Sequence, residues 1–366
     1  MTDAGSMTVV LASRLRLGLV LLVVACQLWS CSGSGAAMQL HEPSGPWPEL
    51  VPGAATHTAV ILVGDGGHAR QDDLVMQLLR RAVQDALAVL PSDRVVVVLL
   101  GDNVYPRGVE ADAPELPEAL AAQLHAASGA QAVVIPGNHD WDHSGPLGQA
   151  KVERMNQLVE EAGAHALPGP KCPAPAVLDA GGTVRIIAVD SQIWLHEDWD
   201  REHPYCTGTA DRVATLRASL LEAEERGLFS VVASHHPLVT VGPHGGRRLL
   251  RRPFSQQDRY ATGYRQYRED LAVAAEGLED LVWAAGHDHS LQILPPEDGF
   301  AWWQIISGGA SQGHTTRVAE RARGFARSAN GLVRLDFEAR RVQAVAVVLT
   351  EQGLEIVQET IRDAPP

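Results

Sequence analysis

Five short polar motifs hold the side chains of this sequence whose types and spacing could perform chemistry. Each motif follows an apolar run and combines glycine or proline with aspartate, asparagine or histidine. The motifs are Gly64-Asp65-Gly66-Gly67, Gly101-Asp102-Asn103-Val104-Tyr105, Gly137-Asn138-His139-Asp140, His235-His236-Pro237 and Gly286-His287-Asp288-His289. Carboxylate, carboxamide and imidazole groups together bind divalent or trivalent metal ions. Two ions roughly 3.5–4 Å apart can hold a phosphate and activate a hydroxide between them. Each motif alone is a weak signal, but their joint occurrence predicts such a site.

The apolar runs before the motifs are expected to be buried strands that position them. Val60–Val63, Val95–Leu100 and Val133–Ile135 are rich in β-branched residues, and helical periodicity covers 72–90 and 115–127 between them. This βαβαβ order predicts a parallel sheet covered by helices. In open α/β sheets, ligands bind at the carboxyl edge of the strands.

The remainder of the chain predicts further elements of both kinds. Helices are predicted at 152–161, 209–226 and 264–275, strands at 177–178, 184–189, 228–233 and 278–284, and loops at 191–209 and 238–263. After residue 290, short strands follow one another without helices, which predicts a second, mostly antiparallel sheet stacked against the first. We interpret residues 58–362 as one α/β domain of two stacked sheets.

The N-terminal segment has the composition of an export signal. Arg14 and Arg16 precede an apolar core at 17–25, which is short for a membrane span. Cys26 and Cys31 each end a stretch that resembles a bacterial lipobox. We interpret 1–31 as a signal or lipoprotein segment and 32–57 as a flexible linker, which predicts an exported protein anchored by lipid to the bacterial cell envelope, on its periplasmic side or at the cell surface. A plain secretory signal and an uncleaved anchor are the alternatives.

The composition limits the partners of the 366-residue chain. A net charge of −14 argues against non-specific binding to nucleic acid. Cys172 and Cys206 are the only cysteines beyond the N-terminal segment, and in an oxidising compartment they form either one disulfide or two free thiols. The arginines at 247, 248, 251 and 252 form either a solvated face or a patch that attracts phosphorylated substrates or anionic headgroups. The sequence has no His-Glu-x-x-His or Walker motif.

The order of the five motifs resembles that of the calcineurin-like metallophosphoesterase superfamily. The resemblance covers roughly residues 59–350 and implies a four-layer α/β/β/α sandwich of two stacked mixed sheets with a dinuclear metal centre. Most of that superfamily has Asp-x-His in the first motif, whereas this sequence has Gly67 at the histidine position and a histidine, His68, one residue later. Tyr105, three residues after Asp102, resembles the tyrosinate ligand of the purple (tartrate-resistant) acid phosphatase branch. The alternative for Tyr105 is an aromatic packed on its loop.

The resemblance implies a set of ligands for each of two metal positions. The first metal would bind Asp65, Asp102, Tyr105 and His289, and the second would bind the bridging Asp102, Asn138, His235 and His287. A phenolate favours Fe(III) at the first position, with Fe(II), Zn or Mn at the second. His236 is expected to be structural or to support the ligands from outside.

Three further residues are implied as catalytic. His139 would stabilise charge on the phosphate, and Asp140 would orient His139. His244, nine residues after His235, would bind the phosphate or donate a proton to the leaving group. The tryptophan usual in the first motif of the tartrate-resistant enzymes is absent.

These residues predict a phosphohydrolase that uses a metal-bound hydroxide on a phosphorylated small molecule. We favour a phosphomonoesterase, and the runner-up is a phosphodiesterase or nucleotide pyrophosphatase. A third hypothesis is a non-catalytic, lipid-tethered binding protein. The complete set of potential metal ligands argues against it.

Overall fold

Two seven-stranded sheets carry the helices of this protein on their outer faces. The computed structural model describes residues 47–169, 172–196, 198–206, 208–245, 256–297, 299–311, 314–319 and 323–363. The helices are α1 (Leu74–Leu87), α2 (Glu118–Ala126), α3 (Gly148–Glu161), α4 (Gln192–Leu195), α5 (Trp199–Glu202), α6 (Thr209–Glu225) and α7 (Thr262–Ala275). The strands are β1 (Thr58–Val63), β2 (Val95–Leu99), β3 (Gln131–Val134), β4 (His165–Ala166), β5 (Ala176–Ala180), β6 (Val184–Val189), β7 (Phe229–Ser234), β8 (Leu281–Ala285), β9 (Leu291–Leu294), β10 (Gln304–Ser307), β11 (Phe325–Arg327), β12 (Gly331–Phe337), β13 (Arg341–Thr350) and β14 (Gly353–Asp363).

Both sheets are mixed, with parallel strands at the centre. The first sheet has the order β14-β13-β12-β1-β2-β3-β4, and the second has the order β11-β9-β10-β8-β7-β6-β5. Strands β1 to β4 run parallel in the first sheet, as do β6, β7, β8 and β10 in the second. Every residue of β1, β2 and β7 is buried, as expected for strands that are covered on both faces.

Alternate residues of these strands face two different cores. In β1, Ile61 belongs to a cluster with Leu78 of α1 and Leu120 of α2. Its neighbour Val60 points the other way, into the cluster between the two sheets, which also contains Val231 of β7. A third cluster packs helices α4 to α7 against the outer face of the second sheet. Three apolar layers therefore separate four layers of structure, which confirms the predicted α/β/β/α sandwich.

The predicted assignment of the late strands to one sheet is wrong. Strands β9, β10 and β11 complete the second sheet, whereas β12, β13 and β14 extend the first. The reason is the pairing of β12 with β1, in which Ala59 lies opposite Asp336. The short strands β4 and β11 were not predicted.

The predicted loop at 191–209 contains the short helices α4 and α5. A disulfide joins Cys172 to Cys206 and confirms the first of the two predicted states. The indole rings of Trp199 in α5 and Trp141 lie edge to face, 5.2 Å apart. This segment therefore packs against the chain that follows β3.

Several sequence predictions fall on residues outside the described ranges. They are the signal or lipoprotein segment at 1–31 with Cys26 and Cys31, the linker up to residue 46, and the four arginines at 247–252. From residue 47 onward the predicted linker contacts the domain, since Leu50 is buried and its N–H donates to Asp85. No helix in the described ranges is long and apolar enough to cross a membrane.

Candidate dimetal centre

All five polar motifs meet where the carboxyl ends of parallel strands from both sheets converge. Backbone hydrogen bonds join the motifs directly. The N–H of Asp65 donates to the Gly101 carbonyl at 3.0 Å, and that of Gly286 donates to the His235 carbonyl at 3.1 Å. The N–H of His287 donates to the Asp65 carboxylate at 2.9 Å. The fold thus brings together the residues that the strand-end pattern selected.

Three of these residues adopt left-handed backbone conformations that are uncommon without glycine. Their φ angles are 63° at Asp65, 54° at Asp102 and 68° at His287. Such conformations cost about 1–3 kcal/mol each and cluster at functional sites. The adjacent Gly101 allows a close approach, because a Cβ there would lie 2.7 Å from Nδ1 of His235.

The first predicted metal group is assembled around the hydroxyl of Tyr105. This oxygen lies 3.0 Å from Nε2 of His289 and 3.4 Å from a carboxylate oxygen of both Asp65 and Asp102. The His289 Nε2 is also 3.4 Å from Asp65, while its Nδ1 faces the His314 carbonyl at 2.9 Å. The side chains of Tyr105, Asp65, Asp102 and His289 therefore direct their potential metal-ligating atoms to one place.

Gly67 explains how a tyrosine reaches this place. A Cβ on residue 67 would lie 2.6 Å from both Cδ2 and the backbone N of Tyr105. The Tyr105 N–H also donates to the Gly67 carbonyl at 3.1 Å. The Tyr105 ring and backbone therefore fill the space that a histidine side chain at position 67 would need.

The second predicted group is arranged around His235. Its Nδ1 lies 2.8 Å from the Leu100 carbonyl, and its Nε2 is 3.0 Å from Oδ1 of Asn138 and 3.4 Å from Asp102. A carbonyl on one ring nitrogen fixes the tautomer and directs the other nitrogen, as is usual for metal-ligating histidines. The His287 ring lies 5.1 Å from that of His235.

The charge balance of this cluster fits a cation. Asp65 and Asp102 are buried, and among the described residues their ion-pair partners are histidines. Burial alone would lower the pKa of His235 and His289, but Asp102 and Asp65 outweigh it and raise both pKa values to about 9. Among the described residues no lysine or arginine pairs with either carboxylate, so the protonated histidines supply the positive charge that these buried groups need, and a bound cation would take over that role. Ligand atoms of Asp65, Asp102 and His235 lie within 4.8 Å of one another.

The pKa of Tyr105 depends on the same buried carboxylates. Burial, and then the negative charge of Asp102, Asp65 and Asp140, raises its pKa well above the usual range. A bound cation inverts such effects by stabilising the anionic form of its ligands. A cation bound beside the Tyr105 oxygen would therefore oppose this rise and favour the phenolate.

His236, the neighbour of His235, is already satisfied by protein groups. Its Nδ1 lies 2.8 Å from Oγ of Ser191 and its Nε2 lies 2.6 Å from Oε1 of Gln257. Both ring nitrogens are thus occupied, which agrees with the expected structural role. Gln257 also places its carbonyl 3.2 Å from Nε2 of His287. Gln257 lies in the predicted loop at 238–263, where no local sequence pattern pointed to it.

His139 lies beside Asp102, but Asp140 does not orient it. The Nδ1 of His139 faces the Pro106 carbonyl at 2.7 Å, and its Nε2 lies 3.8 Å from Asp102. Asp140 instead accepts hydrogen bonds from the backbone N–H groups of Asn103 at 3.1 Å and Gly137 at 2.9 Å. It holds the loops after β2 and β3 together, so the expected contact with His139 is wrong.

His244 reaches the cluster with a partner that the sequence did not indicate. Its ring lies 4.0 Å from that of His287, and its Nδ1 is 2.9 Å from the Asp258 carboxylate. His68 is exposed, and its ring lies 4.9 Å from that of Tyr105. His244 is therefore anchored at the edge of the cluster, and His68 lies outside the converging donor atoms.

Comparisons with known proteins agree with this arrangement. The family model described as calcineurin-like phosphoesterase matches residues 56–291, well over half of the chain. The structure is similar to GAP50, the anchor in the inner membrane complex of Plasmodium, with 14% identity, a TM-score of 0.53, and coverage of 85% of this chain and 90% of that one. It is also similar to PhoD, with 13% identity, a TM-score of 0.50, and coverage of 89% and 74%. No curated protein matches the chain significantly.

The chain belongs to the calcineurin-like phosphoesterase family, because the family model matches most of the residues that build the site. It is a metal-dependent phosphoric ester hydrolase of a family of dimetal enzymes. The two structural similarities concern the fold alone.

Proposed function

We propose that this calcineurin-like phosphoesterase is a phosphomonoesterase of the purple acid phosphatase type. In this proposal Asp102 would serve both of two metal positions. Asp65, Asp102, Tyr105 and His289 would hold the first metal, and Asp102, Asn138, His235 and His287 would hold the second.

The position of Tyr105 carries the proposal. Its hydroxyl is within 3.4 Å of Asp65, Asp102 and His289, and its loop occupies the space of a side chain at residue 67. A phenolate is a hard anionic donor and suits a hard trivalent ion such as Fe(III). The second position, with carboxamide and imidazole donors, suits Fe(II), Zn or Mn.

The remaining residues take roles around the phosphoryl group. Bound metals supply polarisation of the phosphoryl oxygens and a lowered pKa of water. His139, whose side chain is 17% exposed, stabilises charge on a phosphoryl oxygen. Because its Nδ1–H donates to the Pro106 carbonyl, its Nε2 donates a hydrogen bond to that oxygen when the ring is an imidazolium. His244, held by Asp258, donates a proton to the departing alcohol.

A pair of chromogenic substrates tests the type of ester. The full chain is assayed with p-nitrophenyl phosphate and with bis(p-nitrophenyl) phosphate, which share one leaving group. The proposal expects a higher kcat/KM for the monoester. Equal or faster turnover of the diester would favour a phosphodiesterase, and a metal-replete protein inactive on a broad ester panel would favour a binding protein.

The Fe(III) assignment has its own spectroscopic test. A phenolate bound to Fe(III) gives a broad visible charge-transfer band, which Tyr105→Phe removes. A colourless, fully active protein that contains two other metals would contradict the iron assignment and leave the phosphatase proposal intact.

We also propose that the enzyme acts outside the cytoplasm, on a small phosphorylated molecule, and is tethered by lipid on Cys26 or Cys31. The basic and apolar composition of residues 14–25 and the two lipobox-like stretches support this. Metabolic labelling with a radioactive fatty acid tests it, and Cys26→Ser and Cys31→Ser identify the modified residue. Absence of label in the wild-type chain would contradict the tether.

A further inference from the structure

A strained turn follows Asn138 and brings His143 back to it. Asp142, His143 and Ser144 have φ angles of 50°, 53° and 61°, and we call these residues the 142–144 turn. Left-handed conformations cost roughly 1–2 kcal/mol per residue and are rarely adopted in succession. Elsewhere in the described ranges, the non-glycine residues with positive φ are Asp65, Asp102 and His287. The turn therefore shares an unusual backbone feature with three proposed metal ligands.

The surrounding structure holds the 142–144 turn on several sides. The His143 N–H donates to the Asn138 carbonyl at 2.8 Å. The hydroxyl of Ser144 accepts a hydrogen bond from Gln192 in α4 at 2.8 Å. Just before the turn, the indole N–H of Trp141 donates to Asp190 at 2.8 Å. Backbone strain persists only where neighbouring groups impose it, and these contacts do so.

The turn places the His143 ring behind the side-chain amide of Asn138. Nδ2 of Asn138 lies 3.2 Å from Nδ1 of His143, while Oδ1 points the other way and lies 3.0 Å from Nε2 of His235. An amide nitrogen can only donate, so Nδ1 of His143 accepts and its ring proton lies on Nε2. An acceptor at this place favours the amide rotamer that directs oxygen, and not nitrogen, toward the cluster.

We infer that His143 is a positioning residue that fixes the Asn138 amide with its oxygen facing the second metal position. The inference rests on the proposed role of Asn138 as a ligand. Outer partners that orient a metal ligand typically change metal affinity by about 10–100-fold when they are removed. The left-handed backbone of the 142–144 turn contributes to this positioning, because it turns the His143 ring back onto Asn138.

Two substitutions at residue 143 separate the hydrogen bond from the backbone requirement. His143→Asn places an acceptor oxygen at the position of Nδ1, and asparagine tolerates left-handed φ. His143→Gly tolerates the same φ but has no acceptor. The metal-stripped full chain and both variants are titrated with Mn²⁺ in a calorimeter. Thermal unfolding with chelator verifies the fold, and His143→Ser replaces H143G if the glycine variant is unfolded, because its hydroxyl is too short to reach Asn138.

We expect two Mn²⁺ binding events in the wild type. In H143G the weaker of the two should become about 10–100-fold weaker still. The other affinity stays as in the wild type, and H143N keeps both. Equal loss in H143N and H143G, or wild-type binding by the acceptor-free variant, would overturn the inference.

Asn138→Ala distinguishes failure of this inference from failure of the proposed site. If N138A binds both ions like the wild type, Asn138 is not a ligand and the site assignment fails. If N138A loses one ion, H143G should cause no further loss in the N138A background, because both substitutions remove the same interaction. An additional loss in the double variant would show that His143 acts through another group and would overturn the positioning role.

Discussion

Gly67→Ala tests directly whether Tyr105 occupies the space of a side chain at residue 67. The added methyl carbon would lie 2.6 Å from Cδ2 and 2.7 Å from Cγ of the tyrosine ring, and 2.6 Å from its backbone N. Comfortable contacts between non-bonded carbon atoms begin at about 3.5 Å. The loop that carries Tyr105 must therefore retreat by about 1 Å.

The size of the effect follows from that displacement. Overpacking of this kind typically costs about 1–3 kcal/mol, so the free energy of unfolding of the metal-free protein should fall by that amount. The Tyr105 hydroxyl lies between 3.0 and 3.4 Å from its three neighbours, and a shift of 1 Å is large on this scale. A misplacement of about 1 Å can reduce a catalytic rate by about 10²-fold.

The assay combines denaturant unfolding, p-nitrophenyl phosphate kinetics and the visible spectrum of the metal-loaded enzyme. Gly169→Ala is the matched control, because a Cβ there meets no atom within 4 Å. We expect G67A to lose stability and activity and to weaken or shift the visible band, while G169A resembles the wild type. Wild-type stability and activity in G67A would refute the idea that Tyr105 has taken over this space.

Three further predictions concern the support of the site. Burial raises the pKa of Asp190 to about 7, so the folded protein retains a proton that the unfolded chain releases above about pH 4. Stability should therefore fall between about pH 4 and 7, by up to about 1.4 kcal/mol per pH unit more than in Asp190→Asn; parallel urea-unfolding profiles would contradict this. Replacing both Cys172 and Cys206 by serine opens a loop with a sequence separation of 34 and should lower the unfolding free energy by about 3–4 kcal/mol, an effect that reduction of the wild type reproduces; an unchanged denaturation midpoint would argue against it. Asp258→Asn removes the carboxylate that holds His244 and should lower kcat for an alkyl phosphate more than for p-nitrophenyl phosphate, because the poorer leaving group depends more on a proton donor; equal losses would indicate a different role.

The sequence was informative wherever a functional side chain follows a strand immediately. Asp65, Asp102 and Asn138 each come after an apolar run and a glycine, and parallel strands deliver such residues to one edge. Local sequence therefore determined both the element and the place of the residue within it. The same reasoning found His235 and His287 in the second sheet.

Contacts made by loops could not be predicted in the same way. Gln257 and Asp258 lie in a polar stretch with no periodicity, although they hold His236 and His244. The role of Asp140 also escaped prediction, because its partners are backbone N–H groups and the Asn103 side-chain amide rather than the adjacent His139. Such contacts depend on where loops meet, which no local pattern specifies.

Sheet membership failed for a related reason. Strands β9 to β14 range from 3 to 11 residues in length, and nothing in their own residues specifies a partner. The division is decided by long-range pairing, such as Thr58 with Phe337 at the start of β1. The local pattern after residue 290 thus predicted five of these six strands, all except β11, but did not say which sheet each one joins.

The division of the ligands between the two sheets connects metal binding to the core. Asp65, Asp102 and Asn138 follow strands of the first sheet, and the histidines at 235, 287 and 289 follow strands of the second. The Leu100 carbonyl of the first sheet accepts from His235 of the second at 2.8 Å, so even the orientation of a ligand crosses the interface. Because metal would bind only when both sheets are correctly stacked, its binding free energy adds to the stability of that stacking. The apolar layer between the sheets, in turn, sets the separation of the two groups of ligands, which explains why a chemically polar site depends on one of the most apolar regions of the protein.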